Sequence, residues 1–330
     1  DDVFADDPSV NALQQHAAAL LGFEAALFAP SGTQTNLIAL WGHCQRGDEA
    51  IVGQSWHTYR WEAGGMAVLG SIQPQPVETQ PDGTLRLADI AAAIKPDDPH
   101  FARTRLVVLE NTTGGQVLPP EYVAEVAQLA RQRGLALHLD GARLFNAATA
   151  NAARRGTDVY QEARELCSHF DSVSVCLSKG LGAPVGSLVL GSAAFIRQAR
   201  RTRKILGGGM RQAGVLAAAG HYALQHHVRR LAEDHANLHT LASGLRAVGE
   251  NHPVLRGRIT VHPWQTNILF TDVQADVAPA FTAWLAQHQI RVTSSLYGGQ
   301  SRLRWVTHLD VNAADVQAAL DCVARFTLPG

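Results

Sequence analysis

Four short and almost wholly apolar segments constrain the fold of this chain more than any other feature. They are 106–109 (LVVL), 135–139 (LALHL), 173–177 (VSVCL) and 186–190 (GSLVL). A segment with helical spacing, 121–133, lies between the first two. Strands that are apolar on both faces belong to sheets covered on both sides, and such sheets are mainly parallel with helical crossovers. The sequence therefore predicts an α/β fold.

The preceding residues continue this alternation. We predict helices over 9–21, 35–44 and 87–94, strands over 25–29 and 50–52, and a polar stretch over 57–65. Ser9 is the expected cap of the first helix, because its hydroxyl can accept a hydrogen bond from the first turn. The proline-rich stretch 73–76 is too short for a linker, and no strand is predicted there.

A change of pattern after the glycines at 207–209 indicates a second domain. A long Ala- and Leu-rich helical region runs to about residue 248, with a break expected near Gly220 or His226. Beyond it, strands over 259–262, 267–271, 291–293 and 302–307 alternate with helices over 277–288 and 312–326. We predict an N-terminal segment (1–22), a large domain (23–228) and a smaller α+β domain (229–330).

Composition excludes several classes of function. The chain has 330 residues, 46% hydrophobic and 17% charged, with a net charge of -1, so nothing calls for nucleic acid or an anionic membrane. No apolar run is long enough for a membrane span. The four cysteines are widely spaced and read as reduced thiols, which favours the cytoplasm. A small-molecule ligand is the expected partner, and no metal is expected.

Lysine chemistry has three candidates, Lys95, Lys179 and Lys204. Lys179 directly follows the apolar segment 173–177 and precedes a glycine, so its amine should leave the sheet edge in a tight turn, where loss of water favours the neutral, nucleophilic form. The alternative is a surface lysine. Lys95 and Lys204 lie in polar surroundings and are expected to be solvated.

Asp140 ends a second apolar strand, where an ionised carboxylate is costly unless a cation meets it. A protonated pyridine nitrogen is one such partner. Pairing with Arg143, or a capping role, is the alternative.

Other strand ends carry polar groups that could bind a ligand. Ser31, Gly32 and Thr33 open a helix whose free amides could hold a phosphate, although such residues are often only caps. His57 could stack on an aromatic ring, act as a base or be structural. Arg143 and Arg304 could each clamp a carboxylate or form an ordinary ion pair.

Seven blocks of sequence carry a resemblance to a known family. They are DDVFADDPSVNALQ (1–14), SGTQTNLIAL (31–40), EAGGMAVLGSIQPQP (62–76), LHLDGARLFNA (137–147), CLSKGLGAPVGS (176–187), GGGMRQAGVLAAAG (207–220) and RWVTHLDV (304–311). Together they resemble the low-specificity L-threonine aldolases, pyridoxal-phosphate (PLP) enzymes of fold type I, the aspartate-aminotransferase type. That resemblance implies a large PLP-binding domain with a mostly parallel seven-stranded sheet flanked by helices, plus a smaller C-terminal α+β domain.

The resemblance also implies a role for each candidate residue. Lys179 would form the internal aldimine with PLP, Asp140 would hold the pyridine nitrogen, and His57 would stack on the ring. The phosphate would be bound by Ser31, Gly32 and Thr33, and by Arg211 across a subunit boundary. Arg143 and Arg304 would bind the substrate carboxylate, and Arg143 would also contact the cofactor. The family's homotetramer, a dimer of dimers with shared active sites, is implied as well.

The sequence departs from the family at two places. A Ser-Asp-containing opening segment has no counterpart, and we expect further residues upstream of Asp1. Where the family usually carries a histidine after Glu-Asn-Thr, this chain has Thr113, on the side expected to face the β-substituent.

The expected reaction is cleavage of L-threonine, L-allo-threonine and related β-hydroxy-α-amino acids to glycine and an aldehyde. Thr113 leaves open a phenylserine-type substrate. Aminotransfer, racemisation and β-elimination use the same scaffold and stay open as alternatives. A nucleotide-binding or cofactor-free scaffolding protein is a further alternative, although GxGxxG after the first strand and GxxxxGK[ST] are both missing from the sequence.

Overall fold

The computed structural model describes residues 1–297 and 300–328, which divide into two compact units. Unit 1 comprises Asp1–Thr113 and Val117–Arg229, and unit 2 comprises Gly114–Gln116 and the chain from Arg230 onward. After a 3-10 helix over Asp2–Phe4, the elements of unit 1 are α1 (Pro8–Leu21), β1 (Ala25–Ala29), α2 (Gly32–His43), β2 (Glu49–Gly53), α3 (His57–Arg60), α4 (Gly65–Val68), β3 (Gln73–Val77), α5 (Leu87–Ala93), β4 (Thr104–Glu110), α6 (Pro120–Gln132), β5 (Ala136–Asp140), α7 (Leu144–Arg155), α8 (Val159–Cys167), β6 (Ser172–Cys176), β7 (Ser187–Gly191), α9 (Ala193–Ile205) and α10 (Gly214–His226). Unit 2 contains α11 (Leu231–Asn251), β8 (Ile259–Val261), β9 (Ile268–Gln274), α12 (Ala278–Gln287), β10 (Thr293–Tyr297), β11 (Gln300–Val306) and α13 (Ala313–Ala324).

Unit 1 is built on a seven-stranded sheet in the order β1-β7-β6-β5-β4-β2-β3. The strands from β6 to β3 are parallel to one another, and β7 is antiparallel to both of its neighbours. The central segments 106–109 and 173–176 are fully buried, as expected for a sheet covered on both faces. The predicted α/β fold with a mostly parallel sheet is confirmed.

The proline-rich stretch forms a strand that the sequence analysis did not predict. Gln73–Val77 is β3, the edge strand, paired in parallel with β2. An edge strand needs backbone donors on one side only, so Pro74 and Pro76, two residues apart, can occupy positions whose missing N–H groups face away from the sheet.

Helix boundaries differ from prediction at three informative points. The side chain of Asp7, not Ser9, caps α1 by accepting from the amides of Ser9 and Val10. The second helix begins at Gly32, separated by two residues from the end of strand β1, so the amphipathic pattern from 35 marks its body and the Ser31-Gly32-Thr33 turn marks its start. The long helical region breaks after His226, whereas Gly220 lies within α10, where a Cβ would stand 2.7 Å from Leu177.

Unit 2 has an antiparallel four-stranded sheet in the order β10-β11-β9-β8. The side chains of Leu245, Leu269, Phe281, Trp305 and Phe326 lie in its hydrophobic core. This unit is the predicted smaller α+β fold. Within the described residues of both units, no helix is long and apolar enough to cross a membrane.

Candidate active site

Several candidate residues lie at one edge of the unit 1 sheet. Because β2, β4, β5 and β6 are parallel, their carboxyl ends share this edge, which is where ligands of open α/β sheets bind. His57 begins α3 after β2, Asp140 ends β5, and Lys179 follows β6. Strand β1 runs in the same direction and places Ser31 and the start of α2 at this edge as well.

Asp140 is buried and is held by neutral donors. Its Oδ2 accepts a hydrogen bond from Asn36 Nδ2 at 2.8 Å, and its Oδ1 accepts from the Ala142 amide at 3.1 Å. Neutral donors fix the direction of the carboxylate and leave its charge to attract a cation.

His57 and Glu62 form a hydrogen-bonded pair beside Asp140. His57 Nδ1 lies 2.8 Å from Glu62 Oε1, and Asn36 Nδ2 also donates to Glu62 Oε1 at 2.8 Å. The bond to Glu62 raises the pKa of His57. Burial, reinforced by the charge of Asp140, raises the pKa of Glu62. The pair makes the imidazole a stronger base and leaves its Nε2 as the nitrogen that can meet a ligand.

Glu110, the last residue of β4, adds a third carboxyl group. It accepts a hydrogen bond from the His57 amide at 2.5 Å. Burial and the nearby Asp140 carboxylate raise the pKa of Glu110 to about 8. The edge therefore carries more acidic groups than its nearest basic groups can neutralise, and a bound cation would relieve the repulsion.

Lys179 is a half-buried amine without a partner among the described residues. It lies close enough for its positive charge to lower the pKa of both His57 and Glu110. Lys204 is exposed, as predicted. The expectation that Lys95 is solvated was wrong: its Nζ donates to Gln75 and to the Ala93 carbonyl and lies 3.5 Å from the buried Glu49 carboxylate. Of the three lysines, Lys179 alone is both half-buried and without a partner.

The N-terminus of α2 provides a site for an anion. Ser31 Oγ accepts from the Gln34 amide and caps the helix, while the first amides, those of Gly32 and Thr33, have no partner within the described part of the chain. The hydroxyl of Ser187, buried and likewise unpartnered there, lies 3.5 Å from the position of a Cβ on Gly32. Free amides, the helix dipole and hydroxyls together suit a phosphate.

The same edge contains a group of potential metal ligands. One ligand atom each from His57, Glu62 and Asp140 lie within 4.8 Å of one another. Asn36 Nδ2 donates to an oxygen of each of the two carboxylates, and His57 Nδ1 is hydrogen-bonded to Glu62 Oε1. Hydrogen bonding to Asn36 accounts for the cluster better than a metal does.

The remaining candidates have varied surroundings. Arg143 precedes α7 and is half-buried. Thr113 donates its hydroxyl to the Glu110 carbonyl at 2.9 Å. Arg211 is paired with Asp1 at 2.9 Å and is largely exposed. Arg304 lies in β11 of unit 2, where burial lowers the pKa of its guanidinium, and no partner for it is found among the described residues.

Sequence reasoning missed Asn36 and Glu62 at this edge, and it recognised Glu110 as part of a polar strand end without assigning it a role. Two signals were available: Glu110 ends an apolar strand as Asp140 does, and Asn36 is a polar residue in the apolar helical run 35–40. No sequence pattern pointed to Glu62, because its hydrogen bond to His57 depends on how the chain folds at and after α3.

Comparison with known proteins places these observations in a family. Residues 1–276 match the beta-eliminating lyase family. The low specificity L-threonine aldolase of Escherichia coli (strain K12) is 51% identical over 312 residues, covering 94% of this chain and 87% of the relative. The probable low-specificity L-threonine aldolase 2 of Arabidopsis thaliana is 42% identical, covering 99% and 90%. The structure of Leishmania major threonine aldolase has a TM-score of 0.80 at 23% identity, covering 97% of this chain and 90% of that one, and shows a shared fold.

Proposed function

Because this chain belongs to the beta-eliminating lyase family and, within it, to the low-specificity L-threonine aldolases, we propose that it cleaves β-hydroxy-α-amino acids to glycine and an aldehyde with PLP as cofactor. The observation that carries the proposal is the Lys179 amine, which has no partner in the described part of the chain and lies at a sheet edge rich in carboxyl groups. Threonine and allo-threonine are the proposed substrates.

The residues present fit PLP at three points. Lys179 is a free amine for covalent attachment, and the start of α2 offers free amides and hydroxyls for a phosphate. The buried Asp140, held by neutral donors, suits a protonated ring nitrogen. We assign Lys179 Nζ as the attachment point, Asp140 as the nitrogen partner, and Ser31, Gly32 and Thr33 as the phosphate site. PLP, when bound, supplies the electron sink for the charge left at the substrate Cα.

His57 is assigned two tasks, stacking against the cofactor ring and removing the proton of the β-hydroxyl. Glu62 occupies Nδ1, so Nε2 accepts this proton directly or through a water molecule. Thr113 is assigned to the side of the β-substituent, where its hydroxyl hydrogen is already directed at the Glu110 carbonyl. Its oxygen is left to accept a hydrogen bond from the substrate.

Arg143 and Arg304 are assigned to the substrate carboxylate, since guanidinium groups bind carboxylates in bidentate geometry. Holding the carboxylate would fix the orientation of the substituents on the substrate Cα, and that orientation would select the bond that breaks. The half-buried, unpartnered state of Arg304 supports this assignment.

We assign unit 1 as the PLP-binding domain and the unit that begins at Arg230 as the small domain. A cytoplasmic homotetramer with shared sites, to which Arg211 contributes across a subunit boundary, completes the proposal. The four free cysteines are consistent with a reducing compartment. The exposed apolar side chains of Phe4, Ile205 and Val215 are consistent with burial against another subunit.

Glycine release from a panel of threonine, allo-threonine and phenylserine stereoisomers tests this function. We expect glycine with acetaldehyde from threonine and allo-threonine. Glycine with benzaldehyde alone would instead assign a phenylserine-type aldolase. A keto acid, an inverted amino acid or ammonia without glycine would contradict aldol cleavage and indicate aminotransfer, racemisation or β-elimination.

A further inference from the structure

A row of polar side chains lies between helix α2 and strand β5, beneath the proposed PLP site. Asn36 and His43 are two turns apart on α2 and so share a face of that helix. His138 and Asp140 are two residues apart on β5, so their side chains share a face of that strand. Most other side chains in β5 and in the middle of α2 are apolar, so this row is polar within an otherwise apolar layer.

Hydrogen bonds connect the row end to end. His43 Nε2 lies 2.7 Å from Ser172 Oγ, which lies 2.8 Å from His138 Nδ1. His138 Nε2 lies 3.4 Å from Asn36 Oδ1. Asn36 Nδ2 then donates to Asp140 Oδ2 and to Glu62 Oε1.

The two carboxylates determine how the hydrogens are arranged. Both hydrogens of Asn36 Nδ2 are directed at carboxylate oxygens, so its Oδ1 faces His138, and a hydrogen on His138 Nε2 completes that bond. His138 Nδ1 then accepts the Ser172 hydroxyl hydrogen, and Ser172 Oγ accepts from His43. The Ser172 backbone oxygen, 3.1 Å from Nδ1, is the one contact in the row that this tautomer leaves without a hydrogen.

His138 is fully buried. Burying an imidazole costs free energy compared with burying an aliphatic side chain, unless hydrogen bonds within the protein replace those lost to water. Burial lowers the pKa of His138 to about 3, so the ring is neutral near pH 7. Its link to the sheet edge is Asn36, which joins Asp140 to Glu62.

We propose that His138 is a positioning residue for the cofactor site: it fixes the Asn36 amide so that both amide hydrogens hold the Asp140 and Glu62 carboxylates in place. This inference rests on the proposed PLP-dependent function. Through Asn36, His138 sets the direction in which the Asp140 carboxylate faces the ring nitrogen. It also sets the position of the Glu62 carboxylate that is hydrogen-bonded to His57. Groups that orient a ligating residue in this way typically change affinity or activity by about 10–100-fold when removed.

Two substitutions at position 138 separate positioning from simple core damage. In His138→Asn the side-chain amide reaches as far as Nδ1 and contacts Ser172 but not Asn36. In His138→Gln the amide reaches the Nε2 position and can donate to Asn36. We expect His138→Asn to weaken PLP binding to the apoenzyme and to lower kcat, each by about 10-fold or more, with KM nearly unchanged. We expect His138→Gln to restore most of both losses.

Thr149→Ala is the matched control, because Thr149 is also a buried polar residue of unit 1 and, among the described residues, its hydroxyl bonds only to the Phe145 carbonyl. It should leave PLP affinity and kcat unchanged. Asn36→Asp is a second, nearly isosteric variant that turns a donor into an acceptor beside two carboxylates. It should weaken PLP binding at least as much as His138→Asn does, and it supplies the test if His138→Asn does not fold.

The outcomes distinguish this inference from the proposed function. If the wild type binds PLP and releases glycine while His138→Asn and Asn36→Asp match it in PLP affinity and kcat, His138 has no positioning role. The same holds if Asn and Gln at position 138 are equally impaired, because the defect is then independent of the contact with Asn36. A wild-type protein that takes up no PLP overturns the proposed function and this inference with it.

Discussion

At the scale of single residues, the acidic side chains at the sheet edge outnumber the basic side chains beside them. Glu62, Glu110 and Asp140 gather beside His57 and Lys179, and the pKa values of Glu62 and Glu110 are raised. In the cofactor-free protein, Glu110 therefore remains protonated near pH 7. A bound pyridinium would favour its ionised form, so the charge of the site and cofactor binding are linked.

Glu110→Gln tests this linkage in the cofactor-free protein. Because folding raises the pKa of Glu110 from 4.5 to about 8, the folded state keeps a proton that the unfolded state loses across that window. Wild-type stability should therefore fall relative to the Gln variant as pH rises, by up to about 1.4 kcal/mol per pH unit. Thermal midpoints of the two apo proteins across this window measure the difference. Parallel stability curves would show that Glu110 has no raised pKa.

Residues directly after apolar strands could be predicted, and residues joined to them through tertiary contacts could not. Lys179 and Asp140 each follow a recognisable apolar segment, which places them at the sheet edge from sequence alone. Asn36 and Asp140 are 104 positions apart in the sequence, so no local sequence pattern predicts the hydrogen bond between them. The solvated state expected for Lys95 was wrong for the same reason, since its partner Glu49 lies in β2, 46 positions earlier in the sequence.

At the scale of elements, hydrophobic patterning predicted the central strands well and the edges poorly. The buried strands β4 to β7 are rich in apolar side chains, which is a strong signal. Strand β3 contains two prolines and few apolar side chains, so only its pairing with β2 reveals it. Helices α7, α8 and α9 were not predicted; Asp158 and Ser192 cap the last two through their side chains. The start of α2 at Gly32 matters most, because it places free amides shortly after β1.

The start of α2 can be tested with two variants that separate affinity from stability. Thr33→Val removes an exposed hydroxyl and should weaken PLP binding by about 10-fold, the value of one hydrogen bond to a charged group, without changing stability of the apo protein. Ser31→Ala removes the cap bond to Gln34 and should also cost about 1 kcal/mol of apo stability. PLP titration and thermal unfolding measure the two effects. Unchanged PLP affinity in both variants would place the phosphate elsewhere.

At the scale of the whole molecule, the proposal requires sites shared between subunits. Lys179→Ala and Arg211→Ala should each be inactive as pure proteins. If Arg211 serves the site of a neighbouring subunit, hybrids of the two variants contain one intact site, and random mixing should restore about a quarter of wild-type activity.

Co-expression of differently tagged variants provides the random mixture in which about a quarter of wild-type activity is expected, and isolation of a sample through both tags confirms that hybrids have formed. Hybrids of confirmed composition with no recovered activity would place Arg211 and Lys179 in the site of the same subunit. A fully active Arg211→Ala protein would remove Arg211 from the site.

We propose that Lys179 carries PLP and that this linkage is needed for aldol cleavage. The most direct measurement is the visible absorbance of PLP-loaded protein together with glycine release from L-threonine, for Lys179→Ala and for the exposed control Lys204→Ala. We predict that Lys179→Ala loses both the visible band and glycine release, whereas Lys204→Ala keeps both. A Lys179→Ala protein with the wild-type spectrum and rate would contradict the account.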